Sequence, residues 1–316
     1  MKNNDIFEST YYKKIKGHKI NFLSKKEDSI YIFKDKPYSV NKKPIIIFSL
    51  AFILGISLMF YPMICNLINR STYHYIINNY DDEVENTSSV DKEKMLEDAV
   101  YYNSKLNNSS IKDVFSTDDV SHDSVYETLL NITDDGLMGY IDIPKINVKL
   151  PIYHGTVNDV LNKGVGHLKG SSLPVGGVGT HSILAAHRGL PSSKLFSDLD
   201  KVNIGDKFYI SILDKKLVYQ VDNVVIVKPS EFDLLEIDKN KDYITLVTCT
   251  PYGVNSHRLL VRGIRIEEDE QKVINELENK KLFYLSDDDK LLIGLVLIIL
   301  VLVIFLFGRM LVKRDE

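Results

Sequence analysis

Residues 138–267 form a succession of short apolar or alternating runs, separated by Gly, Pro, Asn and Asp. Runs that alternate apolar and polar positions are typical of half-buried β-strands, and several of them between turn residues indicate a sandwich or a barrel. About 130 residues is enough chain to enclose a hydrophobic core. We therefore predict one mainly β domain, with strands that include residues 139–144, 206–212, 216–222 and 223–228.

Two uninterrupted apolar stretches, residues 44–65 and 291–308, contain no charged residue. At about 1.5 Å per residue, each stretch is long enough to cross a bilayer as a helix. A long basic segment precedes the first stretch and no small-x-small cleavage site follows it, which favours an uncleaved anchor over a signal peptide. The sequence thus predicts two transmembrane helices that flank the β domain.

The segment 66–137, between the first span and the β domain, is rich in Asp, Asn and Ser. Its apolar residues recur with a helical period after a plausible N-cap at Asp91, and again shortly before the β domain. We expect a helical extension interrupted by a polar loop at 107–119, and an acidic helical connector at 268–290. The periodic positions are Leu96, Ala99, Val100, Asn103 and Leu106 in the first helix, and Val125, Leu129 and Ile132 in the second.

The distribution of charge predicts the orientation in the membrane. Residues 1–43 hold 11 Lys and Arg against 5 Asp and Glu, residues 309–316 add three basic side chains, and the segment between the two spans has a net charge of −11. Because basic flanks mark the cytoplasmic side, we expect two cytoplasmic tails, 1–43 and 309–316, and an outer domain tethered to the lipid bilayer. The basic tail could instead bind anionic lipid or nucleic acid, but its lysines are scattered, and we predict no nucleic-acid partner.

Two strands of the β domain bring a thiol next to a cation. Residues 245–249 (TLVTC) and 257–262 (HRLLVR) both alternate, and pairing them as an antiparallel hairpin with Cys249 opposite Arg258 places Val247 opposite Leu260. Thr248 then lies opposite Leu259. A fixed cation lowers the pKa of a neighbouring cysteine, and the thiolate is the nucleophilic form. The hairpin therefore predicts a nucleophilic site.

His187 is the best candidate for the acid or base of this site, because an apolar run delivers it and a turn follows at once. A Cys/His pair is typical of acyl-transfer enzymes, and Arg258 would then hold the negative charge of a tetrahedral intermediate. The chain has two cysteines, and a disulfide between Cys65 and Cys249 would tether the nucleophile to the membrane surface, so we expect Cys249 to be unpaired. Taken alone, Cys249 is better interpreted as a small buried hydrophobe, and the neighbouring Arg258 and His187 bring the nucleophile interpretation level with it.

His154, His167 and His181 of the outer domain lie near turns or strand edges, and we expect them to be structural. His257, next to Arg258, should point to the opposite face of its strand. No spacing of Cys, His, Asp and Glu is typical of a zinc site. We predict neither a metal nor another cofactor.

Five motifs closely resemble those of sortases, most strongly of the class C, pilus-assembling branch: 139–144 (GYIDIP), 150–155 (LPIYHG), 164–168 (GVGHL), 186–189 (AHRG) and 245–253 (TLVTCTPYG). The resemblance implies an eight-stranded sortase-type β-barrel with an N-terminal helical extension, and a cysteine transpeptidase anchored in a Gram-positive cell membrane. It also implies that Cys249 is the nucleophile, His187 the histidine and Arg258 the arginine of the site.

The resemblance further implies the substrate and a cover over the site. Sortases cleave an LPxTG-like sorting signal between Thr and Gly through a thioester, and in class C the acceptor is a lysine of another pilin. Thr248 would help line the peptide groove. The branch carries a lid motif, Asp-Pro-aromatic, for which this chain offers Asp113 and Phe115 around Val114; valine lacks the fixed φ of proline. We expect Asp113 near Arg258 and Phe115 near Cys249.

Three other functions remain open from the sequence. A sortase could anchor surface proteins to the cell wall instead of polymerising pili. A cell-wall peptidase of the Cys/His type would release its product to water. A membrane-tethered surface protein without enzymatic activity would leave Cys249 inert.

Overall fold

The computed structural model describes residues 12–15, 18–22, 32–34, 43–106, 113, 115, 124–231, 233–268, 294, 298 and 299. The predicted second span at 291–308 therefore lies outside the described residues except for three positions, and so do the tail 309–316 and all of the connector 268–290 but its first residue. The chain divides into two units, Met1–Ser57 with Leu285–Glu316, and Leu58–Tyr284.

The first unit contains a small antiparallel sheet that the sequence analysis did not predict. Its strands are β1 (Tyr12–Ile15), β2 (His18–Phe22) and β3 (Ile32–Lys34), in that order. They lie within the segment 1–43, for which we predicted only a basic tail.

One helix, α1 (Lys43–Asn86), includes the predicted first span and continues well past it. The helix does not end at residue 65, so the first part of the predicted extension is helical in direct continuation of the span. Within the described part of the chain, α1 alone is long and apolar enough to cross a membrane, judged by length and composition. At about 1.5 Å per residue, the 21 residues after Cys65 extend roughly 30 Å beyond it.

Helix α2 (Ser89–Ser104) follows after a short break. We predicted Asp91 as its N-cap, but the cap is Ser88, whose Oγ accepts a hydrogen bond from the backbone N–H of Asp91. Asp91 is instead the third helical residue, where its carboxylate accepts a hydrogen bond from the Ser88 hydroxyl at 2.6 Å. The bond from the Asp91 N–H satisfies one of the free backbone donors at the start of the helix. The second predicted helix is a single turn, α3 (Ser124–Thr128).

The β domain is a closed barrel of eight strands, as the sequence analysis predicted, with one helical turn, α4 (Asn158–Leu161), outside it. The predicted runs 216–222 and 223–228 are one continuous strand rather than two. The strands are β4 (Leu137–Ile143), β5 (Val148–His154), β6 (Val165–His167), β7 (Thr180–Ala185), β8 (Lys207–Ile212), β9 (Lys215–Val227), β10 (Asp242–Thr250) and β11 (His257–Ile266).

The strand order around the barrel is β10-β11-β9-β8-β4-β5-β6-β7. The barrel thus consists of two halves, β4 to β7 and β8 to β11, which join at the antiparallel pair β4–β8 and at the parallel pair β7–β10. We call the β7–β10 pair the seam.

Helix α1 packs along the outside of the barrel through its second half. Ile77 and Tyr80 are 1% exposed, and burial of such a side chain contributes about 1.5 to 3 kcal/mol. The Tyr80 hydroxyl donates to the carbonyl of Met138 at 2.8 Å and accepts from the backbone N–H of Leu213 at 2.8 Å. The helix and the barrel therefore share one hydrophobic core.

Candidate active site

The hairpin of β10 and β11 has the register that the sequence predicted. Cys249 pairs with Arg258, Val247 with Leu260, and Thr248 with Leu259. Cys249 is 8% exposed. Because side chains alternate between the two faces of a strand, Cys249 and Arg258 lie on the same face.

The seam brings His187 to the same level. In this parallel pair Ala185 lies opposite Val247, and the backbone N–H of Ala186 donates to the carbonyl of Val247. His187 follows Ala185 by two residues, as Cys249 follows Val247, so the two side chains reach the end of the seam together. Sequence periodicity could not predict this pairing, because a parallel pair joins strands that are distant in the chain.

Two hydrogen bonds fasten the seam on either side of the pair. The hydroxyl of Thr248 donates to the carbonyl of Ala186 at 2.7 Å, and the Nη1 of Arg188 donates to the hydroxyl of Thr250 at 3.0 Å. The residues on either side of Cys249 thus bind the residues on either side of His187, which fixes the two backbones against each other.

This contact corrects the expectation for Thr248. We predicted that its side chain lines the peptide groove, but Thr248 is fully buried, at 0% exposure, and its hydroxyl is engaged by Ala186. The reason is the alternation of the strand, which turns residue 248 away from the face that carries Cys249. We therefore expect Thr248 to hold β10 against the end of β7, which positions the site, rather than to line a groove.

Asp113 closes over Arg258 with a bidentate ion pair. The Nε of Arg258 donates to Oδ1 of Asp113 at 3.0 Å, and Nη2 donates to Oδ2 at 2.7 Å. Paired charge-assisted hydrogen bonds of this kind fix both distance and orientation. Asp113 therefore lies where the lid expectation puts it, against Arg258. Val114 and the flanking residues 107–112 and 116–123 lie outside the described residues.

Phe115 lies over two members of the site, His187 and Arg258. Its ring is stacked 5.9 Å from the ring of His187, and the guanidinium carbon of Arg258 is 5.1 Å from its centre. The ring also packs against an apolar cluster on the Cys249 face of the sheet, which includes Val247 and Leu260. With Asp113, it covers the site from outside the barrel.

A shallow depression continues along this face, away from Cys249. The strand alternation that aligns Cys249 with Arg258 also puts Thr245, Leu260 and Arg262 on the same face, although none of these three was predicted as a site residue. The residues that line the depression are Asn223, Val225, Leu234, Thr245, Leu260 and Arg262.

Comparison with known proteins identifies the family. The family model for the sortase domain matches residues 141–266. Sortase A of Listeria monocytogenes is 30% identical over 230 residues, which cover 72% of this chain and 93% of that protein. The chain belongs to the sortase family. Sortases are cysteine transpeptidases.

Solved structures support the class of this sortase. Sortase C1 of Streptococcus agalactiae is 50% identical, with a TM-score of 0.56, over 62% of this chain and 100% of that one. The pilus-related sortase C of group B Streptococcus is 39% identical, with a TM-score of 0.55, over 60% and 96% of the two chains. The predictions of a class C sortase and of a sortase barrel are confirmed. Two Bacillus sortases are matched over only 59% and 63% of their length.

The electrostatics of this sortase's site favour an uncharged resting pair. Burial raises the pKa of the Cys249 thiol, the positive charge of Arg258 lowers it, and the negative charge of Asp113 raises it again, with a net increase over its ordinary value. Burial lowers the pKa of His187. A neutral thiol and a neutral imidazole are therefore the stable forms while the site is covered.

Both cysteines of the sortase are free thiols, so Cys65 and Cys249 are not bridged. His167 and His181 are buried at 0% and 1% exposure and hydrogen-bonded within the fold. Burial lowers the pKa of His167 to about 3 and that of His181 to about 4. Among the residues that the structure describes, no group of three or more His, Cys, Asp or Glu is placed to hold a metal ion.

Proposed function

We propose that this sortase cleaves an LPxTG-like sorting signal through a thioester at Cys249 and transfers the acyl group to a lysine of a pilin subunit, which polymerises pili. The observation that carries the proposal is the convergence of Cys249, Arg258 and His187 at the end of the seam, under a cover made by Asp113 and Phe115. The pilus-related sortase C of group B Streptococcus supports the choice of substrate class.

The first half of the reaction uses each of the three residues once. The Cys249 sulfur attacks the carbonyl carbon of the signal's Thr, and the charge that develops on the carbonyl oxygen is held by Arg258. His187 takes the thiol proton and gives it to the amine of Gly as the Thr–Gly bond breaks. In the second half, the lysine amine attacks the thioester, an isopeptide bond forms, and the Cys249 thiol is released with a proton from the amine.

The cover must move before this chemistry starts. Asp113 binds the guanidinium of Arg258, which must be free to stabilise the oxyanion. Phe115 packs on the apolar face beside Cys249. When Asp113 and Phe115 move away, burial by the cover and the negative charge of Asp113 no longer raise the pKa of Cys249. A larger fraction of the thiol is then ionised at neutral pH. We infer that Asp113 and Phe115 form a lid that keeps the enzyme inactive without substrate.

The proposed arrangement in the cell follows the charge and hydropathy of the sequence. Residues 44–65 and 291–308 span the membrane, 1–43 and 309–316 are cytoplasmic, and the barrel with its extension 66–137 and connector 268–290 lies outside. Helix α1 supports the first of these spans by its length and composition. The partners are LPxTG-type pilins or surface proteins and the lipid bilayer.

The proposal is tested with the full chain in membranes, an LPxTG peptide and a pilin that carries the acceptor lysine. We expect Cys249→Ala to abolish the thioester detected by mass spectrometry, and Arg258→Ala to reduce acyl transfer at least 100-fold, about the effect of losing one oxyanion donor. Arg265→Ala is the matched control, since Arg265 lies over Tyr219 and should keep most of the activity. Equal losses from both arginine variants would contradict the assignment.

The product separates the remaining functions. A lysine-linked pilin polymer supports the proposal. Transfer only to a cell-wall amine would make the enzyme an anchoring sortase, hydrolysis alone would make it a peptidase, and no thioester at all would leave a surface protein without this activity.

A further inference from the structure

The direction of the strands places the whole catalytic site at one end of the barrel. Strands β7 and β10 end there, at His187 and Cys249, and β11 begins there at Arg258. The β4–β5 turn (144–147) and the loop that precedes β8 lie at the same end, since β4 ends and β8 begins there. We call the segments 144–147, 186–206 and 251–256 the catalytic rim.

Helix α1 contacts this rim with the residues that follow the predicted span. The side-chain amide of Asn69 donates to the carbonyl of Ser192 at 2.6 Å, and the hydroxyls of Tyr73 and Ser193 are 3.0 Å apart. Arg70 donates to the side chain of Asn147 at 3.3 Å. The segment 190–193 that α1 holds comes directly after His187.

The later part of α1 reaches the opposite end of the barrel. Tyr80 binds Leu213, which lies in the turn between β8 and β9, and Met138 at the beginning of β4. The helix therefore runs along the barrel wall from the rim to the far end, so its membrane-proximal residues are the ones beside the catalytic site.

The distance from the membrane to the rim is short. Asn69 comes four residues after Cys65, the last residue of the predicted span, which is about 6 Å along a helix. Pro62 lies inside α1 and removes one backbone hydrogen bond, which can bend the helix but cannot lengthen it. No flexible linker separates the span from the rim contacts.

The surface of the rim suits lipid headgroups. Ile204, in the loop before β8, is 69% exposed. The side chains of Lys145 and Lys201 are 47% and 60% exposed, and their amines are paired with the carboxylates of Asp206 and Asp198. An exposed apolar side chain next to lysines with long apolar stems matches the boundary between headgroups and acyl chains.

We propose that the catalytic rim faces the bilayer, with Ile204 in the headgroup region, so that the site receives its sorting signal from the membrane side. The inference rests on the membrane anchoring in the proposed function, and it adds the orientation of the barrel. A substrate whose signal lies close to the membrane would then reach Cys249 without leaving the surface.

Tryptophan fluorescence tests this orientation directly, because the chain contains no Trp. Single-Trp variants of the full chain are placed in vesicles of brominated phosphatidylcholine and phosphatidylglycerol, which quench Trp near the lipid. Ile204→Trp reports the rim, and Val178→Trp reports the opposite end, where Val178 is 78% exposed just before β7. Phe52→Trp, within the predicted span, reports insertion itself.

We expect Phe52→Trp to be strongly quenched, Ile204→Trp to be quenched measurably but less than Phe52→Trp, as for a side chain at the headgroup boundary, and Val178→Trp to be unaffected. If the Trp at position 52 is quenched but the Trp at 204 is not, the orientation is overturned and the anchoring stays intact. The same holds if the Trp residues at 204 and 178 are quenched equally. Absence of quenching at position 52 overturns the span and the orientation together. Retained acyl transfer by each variant shows that it is folded.

Discussion

Asp113→Ala should expose Cys249, and the size of the effect follows from the contacts of Asp113. Two charge-assisted hydrogen bonds join it to Arg258, and the two side chains are 21% and 13% exposed. An ion pair on the surface contributes less than about 1 kcal/mol, and hydrogen bonds to charged groups contribute about 1.5 to 3 kcal/mol. For this half-buried pair we expect about 1 to 2 kcal/mol, which is roughly a 5- to 30-fold increase in the open population of the lid.

The measurement is the rate at which iodoacetamide alkylates Cys249 in a Cys65→Ser background. Loss of Asp113 also removes a negative charge that raises the pKa of the thiol, so the variant would react faster near neutral pH even with an unchanged lid. Rates are therefore compared on the plateau at high pH, where the thiol is fully ionised in both proteins. An acceleration that persists on the plateau reports lid opening alone.

The chain offers a matched control on the same face of the sheet. Asp222 makes the same bidentate pair with Arg262, at 3.0 and 2.9 Å, but does not belong to the lid. Asp222→Ala should leave the plateau rate unchanged. If Asp113→Ala reacts no faster than the parent on the plateau, or if both variants are accelerated alike, the lid reasoning is refuted.

Two further predictions concern the seam and the buried histidines. Thr248→Val removes the hydrogen bond to the Ala186 carbonyl, which should lower the free energy of unfolding by about 1 to 3 kcal/mol and lower kcat more than it raises KM. Thr248→Ser keeps the hydroxyl and should restore both the stability and kcat. A Ser variant as impaired as the Val variant would contradict the positioning role. His167, with its pKa lowered to about 3, stays neutral in the folded protein, whereas in the unfolded chain it binds a proton once the pH falls below the ordinary pKa of histidine. The stability present at neutral pH should therefore fall by about 1.4 kcal/mol per pH unit as the pH drops below roughly 6.5. Urea titrations at pH 7 and pH 5 measure this loss, which His167→Gln should reduce, and an equal pH dependence in the variant would show that other groups cause it.

The sequence predicts the hairpin of the site well, because alternation alone determines which residues of β10 and β11 face each other. It predicts His187 only through the turn that follows it and through the resemblance to sortases. The alignment of His187 with Cys249 depends on the parallel pairing of β7 with β10, whose partners are 62 residues apart. No local pattern encodes such a pairing.

Some local sequence patterns are compatible with two structures, and only the packing of the folded chain determines which one forms. Ser88 and Asp91 are both good N-cap residues, and the sequence does not show that α1 ends just before Ser88. Thr248 follows the strand alternation that identifies Cys249, so its burial was implicit in the register. At residues 222 and 223 the register of β9 with β11 shifts by one residue, but β9 continues through this irregularity across both predicted runs.

The seam has a consequence for when the enzyme becomes active as it folds. His187 belongs to the half of the barrel built from β4 to β7, while Cys249 and Arg258 belong to the half built from β8 to β11. Contacts between distant parts of a chain form late, because a long loop must close first. A chain with only one half of the barrel folded would therefore have no complete site, and catalytic competence would arise only when the barrel closes.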